Sequence, residues 1–368
     1  MSINDLSTPR FRLPLEVELF ILDSVDDIKD LAQCKRVCKA WMPVASRLML
    51  LKPILIVREE NAWKFISYLN TNIELKGYVR HLIVTFRAQL NFEYMTDETS
   101  LDEENPYKKL LSLVFHENLE IIEGSMDDAS SYQLMQNIAS QNNGQKKFKL
   151  KRIPDPFEEE SDTYKNTVIC FTESLEHLYL LIPRQISDAG IRLFRSLKKF
   201  TCLTSVALSV ERNNLVTLKF IIDDCPLLQN LEIDYVGNEG DMTTDQVEHW
   251  FEENDTRNDS YLKVLDVSNC FSCNPVEYLV LKYRKIERVL IDLSSYTDQL
   301  EAASVLLRMI KALDYKVDLY EITFYPDRRL HLLYNLLFST LSLHNRVSTH
   351  APSHNEVLAI TVTPLNQN

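Results

Sequence analysis

Side chains suited to covalent or metal chemistry are few and scattered along this 368-residue chain. Cys270 and Cys273 stand at the C-x-x-C spacing used for zinc and for thiol–disulfide exchange, but no second pair or histidine couple lies near to complete a tetrahedral site. Cys34 and Cys38, four residues apart, lack such partners too. Cys270 reads more simply as the small apolar residue that ends a strand. The carboxylate pairs Asp223-Asp224 and Glu252-Glu253 fall at helix ends or on polar faces, and His249 beside Trp250 sits on an amphipathic stretch. None of these makes a general acid–base pair. The six glycines include no G-x-x-x-x-G-K-[ST] and no G-x-G-x-x-G, and neither H-E-x-x-H nor G-x-S-x-G occurs. No enzymatic activity, no metal and no cofactor is therefore expected.

The bulk numbers narrow the partners. With 40 basic and 53 acidic residues the formal charge is -13, which opposes binding to nucleic acid or to an anionic membrane. That charge is uneven: residues 10–52 carry eight Lys/Arg against six Asp/Glu, and residues 1–9 only Asp5, which leaves -14 on residues 53–368. Seven cysteines, an odd number set mostly within apolar patterns, read as free thiols of a reducing compartment. The N-terminus has no basic-then-apolar leader and no apolar run is long enough to span a bilayer, so a cytoplasmic or nuclear location is expected.

The elements that would position functional residues divide into a short opening and a long remainder. In residues 10–51, Leu13-Pro14 opens one helix, Asp26 or Asp27 can cap a second, and Trp41, Val44, Ala45 and Leu48 follow helical spacing in a third. Leu15, Val17, Leu19, Phe20, Ile21 and Leu22 would cover most of the first helix's circumference, whereas a surface helix normally carries one apolar stripe. A unit this small buries little surface by itself, so a partner is expected to cover the remainder. Leu13-Pro14, Glu16-Val17, Ile21-Leu22, Asp30-Leu31, Cys34, Val37-Cys38-Lys39 and Trp41 resemble the F-box motif in order and spacing. The resemblance implies docking on the Skp-type linker of a cullin-based ubiquitin ligase, through it on cullin and ring-finger subunits, with Leu13, Pro14, Val17, Ile21, Leu22, Leu31, Val37 and Trp41 forming or supporting the linker-binding surface.

From about Lys52 the pattern apolar-x-x-apolar-x-apolar recurs. It gives Leu175/Leu178/Leu180, Leu203/Val206/Leu208, Leu228/Leu231/Ile233, Leu262/Leu265/Val267, Ile286/Val289/Ile291 and Leu319/Ile322/Phe324, with looser strands near 53–57, 79–84, 119–124 and 357–362. Amphipathic stretches such as "DAGIRLFRSLKKF" and "QLEAASVLLRMIKAL" lie between them, so the unit is strand then helix. The segments 96–106 and 141–165 read as solvated polar insertions, the latter holding Lys146, Lys147, Lys149, Lys151 and Arg152. "DDCPLLQNLEI" and "LKVLDVSNC" resemble leucine-rich repeats of the kind found in F-box proteins. The expected fold is thus α/β: a tail over 1–9, a three-helix F-box over 10–51, and a curved leucine-rich-repeat solenoid over 52–368 with parallel strands on the concave face and helices outside. The implied function is that of a substrate-recognition adaptor of an SCF-type ubiquitin ligase. The alternative is a non-catalytic repeat protein that binds the linker or other partners without ubiquitin transfer. An unknown target protein, with neither nucleic acid nor membrane, would meet the positions flanking each strand: Glu176, His177, Tyr179, Gln229, Asn230, Glu232, Lys263 and Asp266.

Overall fold

The structure is a computed structural model, and it describes every residue except 1–13, 86–104, 127–128, 142–146, 157–161, 183–185, 211–214, 236–241, 256–257, 269–271, 293–298, 314–316, 325–344, 351–357 and 365–368. The chain divides into two compact units, Met1–Leu150 and Lys151–Asn368.

The first unit opens with helices α1 (Leu15–Asp23), α2 (Ile28–Val37) and α3 (Trp41–Leu51). Pro14 precedes α1, where its fixed φ suits a first turn with no N–H to lose, and Asp27 caps α2 by accepting from the Lys29 N–H at 2.7 Å. Strand β1 (Ile54–Ile56), helix α4 (Glu59–Thr71), β2 (His81–Val84), α5 (Pro106–Val114), β3 (Ile121–Met126) and α6 (Ala129–Gln141) follow. β1, β2 and β3 pair in parallel, Ile54 opposite Leu82 and Leu82 opposite Ile122. Leu82, Ile122, Leu110, Val114 and Met135 are wholly buried in this unit's core. Gly124 sits at φ +105° because β2 passes so close that a Cβ there would overlap the Val84 carbonyl.

The packing sorts the expected linker-binding residues into buried and exposed ones. Leu22 and Leu31 are fully buried, so of the two expected roles they could only support a surface from beneath and not form it. Val17, Ile21 and Val37 are exposed, as is Pro14, Trp41 is half-buried, and Leu13 lies outside the described residues.

The second unit holds strands β4 (Asp155–Pro156), β5 (His177–Ile182), β6 (Ser205–Val210), β7 (Asn230–Tyr235), β8 (Asn258–Ser268), β9 (Tyr283–Asp292), β10 (Val317–Phe324), β11 (Asn345–His350) and β12 (Leu358–Pro364). Between them lie α7 (Asp162–Val168), α8 (Asp188–Ser196), α9 (Leu215–Asp224), α10 (Thr244–Asn254), α11 (Asn274–Lys282) and α12 (Gln299–Leu313). β5 to β10 run parallel in chain order, and the sheet is completed by β12 and β11, both antiparallel to their neighbours. A repeated device sets the register. The carbonyls of Lys151, Glu176, Thr204 and Gln229 each accept two consecutive N–H groups where the next segment begins, so every segment starts one step along the same row.

Alternation then separates two faces. Leu178, Leu180, Val206, Leu208, Leu231, Ile233, Leu265, Val267, Val289, Ile291 and Ile322 point to the core. The opposite face carries His177, Tyr179, Ser205, Ala207, Asn230, Val264 and Asp266, all half-buried, together with the more exposed Glu232. On the helical side α11 is buried almost from end to end, so its charges are neutralised locally. Lys282 Nζ lies 2.7 Å from both Asp255 and Asp223, and Arg308 grips Glu277 at 2.8 and 2.6 Å.

The α/β mixture and the parallel strands stand, but the expected curved solenoid does not. Strands and helices do not form one uninterrupted array: β1–β3 belong to a separate unit from β5–β12, and β12 and β11 reverse direction. Among the described residues no helix is long and apolar enough to cross a membrane.

Candidate functional site

The face of the second unit's sheet that looks away from the core encloses a cavity of about 400 Å³, lined by Arg152, Ile153, Asp155, His177, Leu178, Tyr179, Ser205, Ala207, Asn230, Leu231, Glu232, Val264 and Asp266. That volume lies within the range of about 300 to 1,000 Å³ in which small-ligand sites fall. The strand register arranges the lining in two rows. His177 pairs with Ser205, Ser205 with Asn230 and Asn230 with Val264, and the bonds from Glu176 and His177 to the Lys151 carbonyl set Arg152 at the head of this row. Two residues further along the strands, Tyr179 pairs with Ala207, Ala207 with Glu232, and Glu232 with Asp266. Neighbouring strands lie about 4.8 Å apart. Ala207 and Ser205 therefore make a low floor between the Tyr179 ring and the two carboxylates.

Glu232 and Asp266 set the electrostatics. They sit directly opposite one another on adjacent strands, an arrangement in which like charges destabilise a sheet. Neither carboxylate takes an ion-pair partner among the described residues. Partial loss of hydration pushes the Glu232 carboxyl above its ordinary range, with the charges of Asp266, Asp155 and Asp234 adding to the shift and Arg152 opposing it. Asp266 is raised in the same way, first by desolvation and then by Asp292, against the pull of Arg288. In both cases loss of hydration is the larger cause, and a nearby arginine only partly offsets it.

Five of the eight flanking positions expected to meet a target protein, His177, Tyr179, Asn230, Glu232 and Asp266, come together in the lining of this cavity, which is a different use from the one expected. Glu176, Gln229 and Lys263 do not. They sit one step before their strands' cavity-facing residues: Glu176 reaches Lys151 at 3.2 Å, and the Gln229 carbonyl accepts from Lys263 and Val264. Arg152, Asp155, Ser205 and Ala207 were missed. Ser205 and Ala207 are legible as the x positions of the Leu203/Val206/Leu208 triplet, whereas Arg152 and Asp155 fall in a stretch that reads as a solvated loop but buries Leu150 and Ile153.

The other chemically interesting residues are structural. Cys273 is buried and donates to the Val305 carbonyl at 3.2 Å, while Cys270 lies outside the described residues. Burial works against ionisation of Asp223, yet the hydrogen bonds from Lys219 and Lys282 hold its carboxyl below the ordinary range. His249 meets Glu253 at 3.3 Å on an exposed helix face. Among the described residues no group of three or more His, Cys, Asp or Glu could hold a metal ion.

No family model matches the chain, and no curated protein does. Solved structures do. The N-terminal domain of human METTL16 in complex with SAH aligns at 10% identity and a TM-score of 0.24, over 64% of this chain and 82% of that one. The human methyltransferase 10 domain containing protein aligns at 8% identity and 0.22, over 64% and 99%. TrmK of M. capricolum in complex with S-adenosyl-homocysteine aligns at 11% identity and 0.19, over 54% and 67%. A likeness of this degree carries neither activity nor ligand to this chain.

These results do correct what the motif resemblance implied. An F-box or leucine-rich-repeat assignment is matched by no family model and by no curated protein. With that assignment go the SCF adaptor role and its non-catalytic repeat-protein alternative, and the expectation that the chain is not an enzyme is not kept, since it rested only on motifs that the sequence lacks. The Skp-type linker, cullin, ring-finger and target-protein partners lose their basis at the same time.

Proposed function

We propose that the cavity on the second unit's sheet binds a small organic cation, an amine whose ammonium group sits against Glu232 and Asp266 and whose carbon chain lies over Ala207 toward the Tyr179 ring. The observation that carries this reading is the carboxylate pair: two like charges opposite one another, without ion-pair partners, on the wall of a ligand-sized cavity. A sheet built for stability alone would place a neutral or oppositely charged residue at one of these positions. A bound ammonium group relieves the repulsion and donates a charge-assisted hydrogen bond to each carboxylate in a partly desolvated place. Tyr179 adds an aromatic face for a cation or an alkyl chain.

Ligand-observed NMR with pentylamine, pentanol and pentanoate tests the reading at low salt. Pentylamine binds, and its two isosteres of equal length do not. Glu232→Gln and Asp266→Asn each weaken pentylamine about tenfold, the scale of one charge-assisted contact. Equal binding of all three probes, or indifference to both substitutions, contradicts the proposal. The pH dependence has a definite sign. A carboxyl with a raised pKa protonates earlier on acidification, so amine affinity falls as pH drops through the upper end of the carboxylate range.

A further inference from the structure

Beside the carboxylates the cavity holds a neutral polar pair, which narrows the ligand class while resting on the cation reading above. Ser205 and Asn230 sit opposite one another on β6 and β7, two residues before Ala207 and Glu232, and both line the cavity. Their backbone N–H groups are spent on the carbonyls of Glu176 and Thr204, and both residues are half-buried. Among the described residues neither the Ser205 hydroxyl nor the Asn230 side-chain amide has a hydrogen-bond partner. A strand interior built for packing alone would not spend two polar side chains there. About 4.8 Å separates the two strands, and about 6.6 Å separates this pair from the carboxylates along them.

From this we infer that the ligand is an amine with a neutral carboxamide at the far end of its chain, its ammonium on Glu232 and Asp266 and its amide on Ser205 and Asn230. A hydroxyl and an amide each donate and accept, so the group that matches them does both. A carboxamide has two polar atoms for two partners: its N–H donates to the Asn230 amide oxygen, and its carbonyl accepts from the Ser205 hydroxyl. An alcohol offers one atom for both strands. A carboxylate only accepts, and it would add a third negative charge near Glu232 and Asp266. A plain amine leaves Ser205 and Asn230 to solvent. Chain length is then a determinant of affinity, since a short amino amide does not reach from one pair to the other.

Titration calorimetry on the protein at low salt tests this with 5-aminopentanamide, pentylamine, 5-aminopentanol and 5-aminopentanoate, and with 3-aminopropanamide as the short control. The expected result is 5-aminopentanamide binding tightest, by about three- to tenfold over pentylamine, the worth of one or two neutral hydrogen bonds, and 3-aminopropanamide binding more weakly than pentylamine. Asn230→Leu and the smaller change Ser205→Ala, each checked for an unchanged melting temperature, lower the ratio of the 5-aminopentanamide and pentylamine affinities, whereas Glu232→Gln lowers both affinities together. If pentylamine, 5-aminopentanol or 5-aminopentanoate binds as tightly as 5-aminopentanamide, or if the ratio is the same in both variants, the carboxamide inference is overturned and the amine reading stands. If no amine binds, the amine reading fails and takes the inference with it.

Discussion

A single hydroxyl closes the β5 end of the eight-stranded sheet at the strand that carries Tyr179. Tyr164 Oη donates to the Tyr179 carbonyl at 3.1 Å and accepts from the Tyr179 N–H at 3.2 Å, so one side chain satisfies both backbone groups of the residue that walls the cavity. Burial holds this phenol far above its ordinary pKa, so it stays neutral and keeps both roles. Tyr164→Phe leaves that N–H and C=O without the hydroxyl and is expected to cost about 1 to 3 kcal/mol in denaturant unfolding, with an unchanged m-value. Gly124 makes a stricter demand. Its positive φ and the Val84 carbonyl forbid a Cβ, so Gly124→Ala should cost about 2 to 4 kcal/mol or prevent folding of the first unit, as read by the denaturation midpoint. His116 gives a pH signature. Its Nδ1 accepts from the Asn118 N–H at 3.1 Å and its Nε2 meets the Lys76 carbonyl at 3.0 Å, which defines a neutral ring, and burial lowers its pKa below 6.5. The unfolded chain thus binds the proton more readily. This contribution to stability is present above about pH 6.5 and is lost as pH falls below it. Between about pH 7.5 and about pH 5.5 the wild type should lose more stability than His116→Gln; an equal loss would count against this tautomer.

At the scale of elements, α1 shows how a helix can be legible while its orientation is not. Leu15 to Leu22 declare a helix apolar on most sides, and spacing alone does not say which side meets α2 and α3. Packing selects Leu22, fully buried, and leaves Phe20 76% exposed. Leu22→Ala should therefore cost about 2 to 5 kcal/mol and Phe20→Ser less than about 0.5 kcal/mol in the same unfolding assay. The strands were more readable: the six triplets from Leu175 to Phe324 fall in or immediately before β5 to β10, because a buried face repeats every second residue. Which flanking residues face the cavity depends on parity. Glu176, Gln229 and Lys263 share the parity of core residues Leu178, Leu231 and Leu265; Glu176 and Gln229 fall just before their strands and Lys263 lies within β8, a distinction that needs each strand's first residue to be known. The charge network around α11 was wholly hidden, since its members come from distant stretches: Thr244 and Arg308 both bond Glu277, and Arg308 also reaches the Met242 carbonyl. Glu277→Ala removes the buried carboxylate that Arg308 grips, leaving it the Met242 carbonyl and the Asn274 amide oxygen. It should cost about 3 to 5 kcal/mol, more than Glu277→Gln, in thermal or chemical unfolding.

On the scale of the whole molecule, the net charge of -13 supplies a long-range attraction for cations and repulsion for anions. That bias was read from composition, and it agrees in sign with the carboxylates on the cavity wall. The partner class was not readable there, because a motif resemblance near the N-terminus concerns residues outside the second unit, and the cavity itself arises only when four strands come into register. Salt separates the local contribution from the global one. Screening by added NaCl weakens the general attraction, while the attraction across the partly desolvated Glu232–Asp266 pair persists to higher ionic strength. Glu232→Gln with Asp266→Asn should also raise stability at neutral pH. A carboxyl whose folded pKa is raised opposes folding once ionised, so its penalty grows as pH rises through the shifted range and disappears when the charge is removed.

The measurement that bears most directly on the account is calorimetric titration of pentylamine into the full-length protein and into the Glu232→Gln, Asp266→Asn double variant at low ionic strength. The account predicts saturable binding to the wild type, and its loss in a variant that melts at the same temperature or higher. Binding of equal strength to both proteins, or none to the wild type, would contradict it.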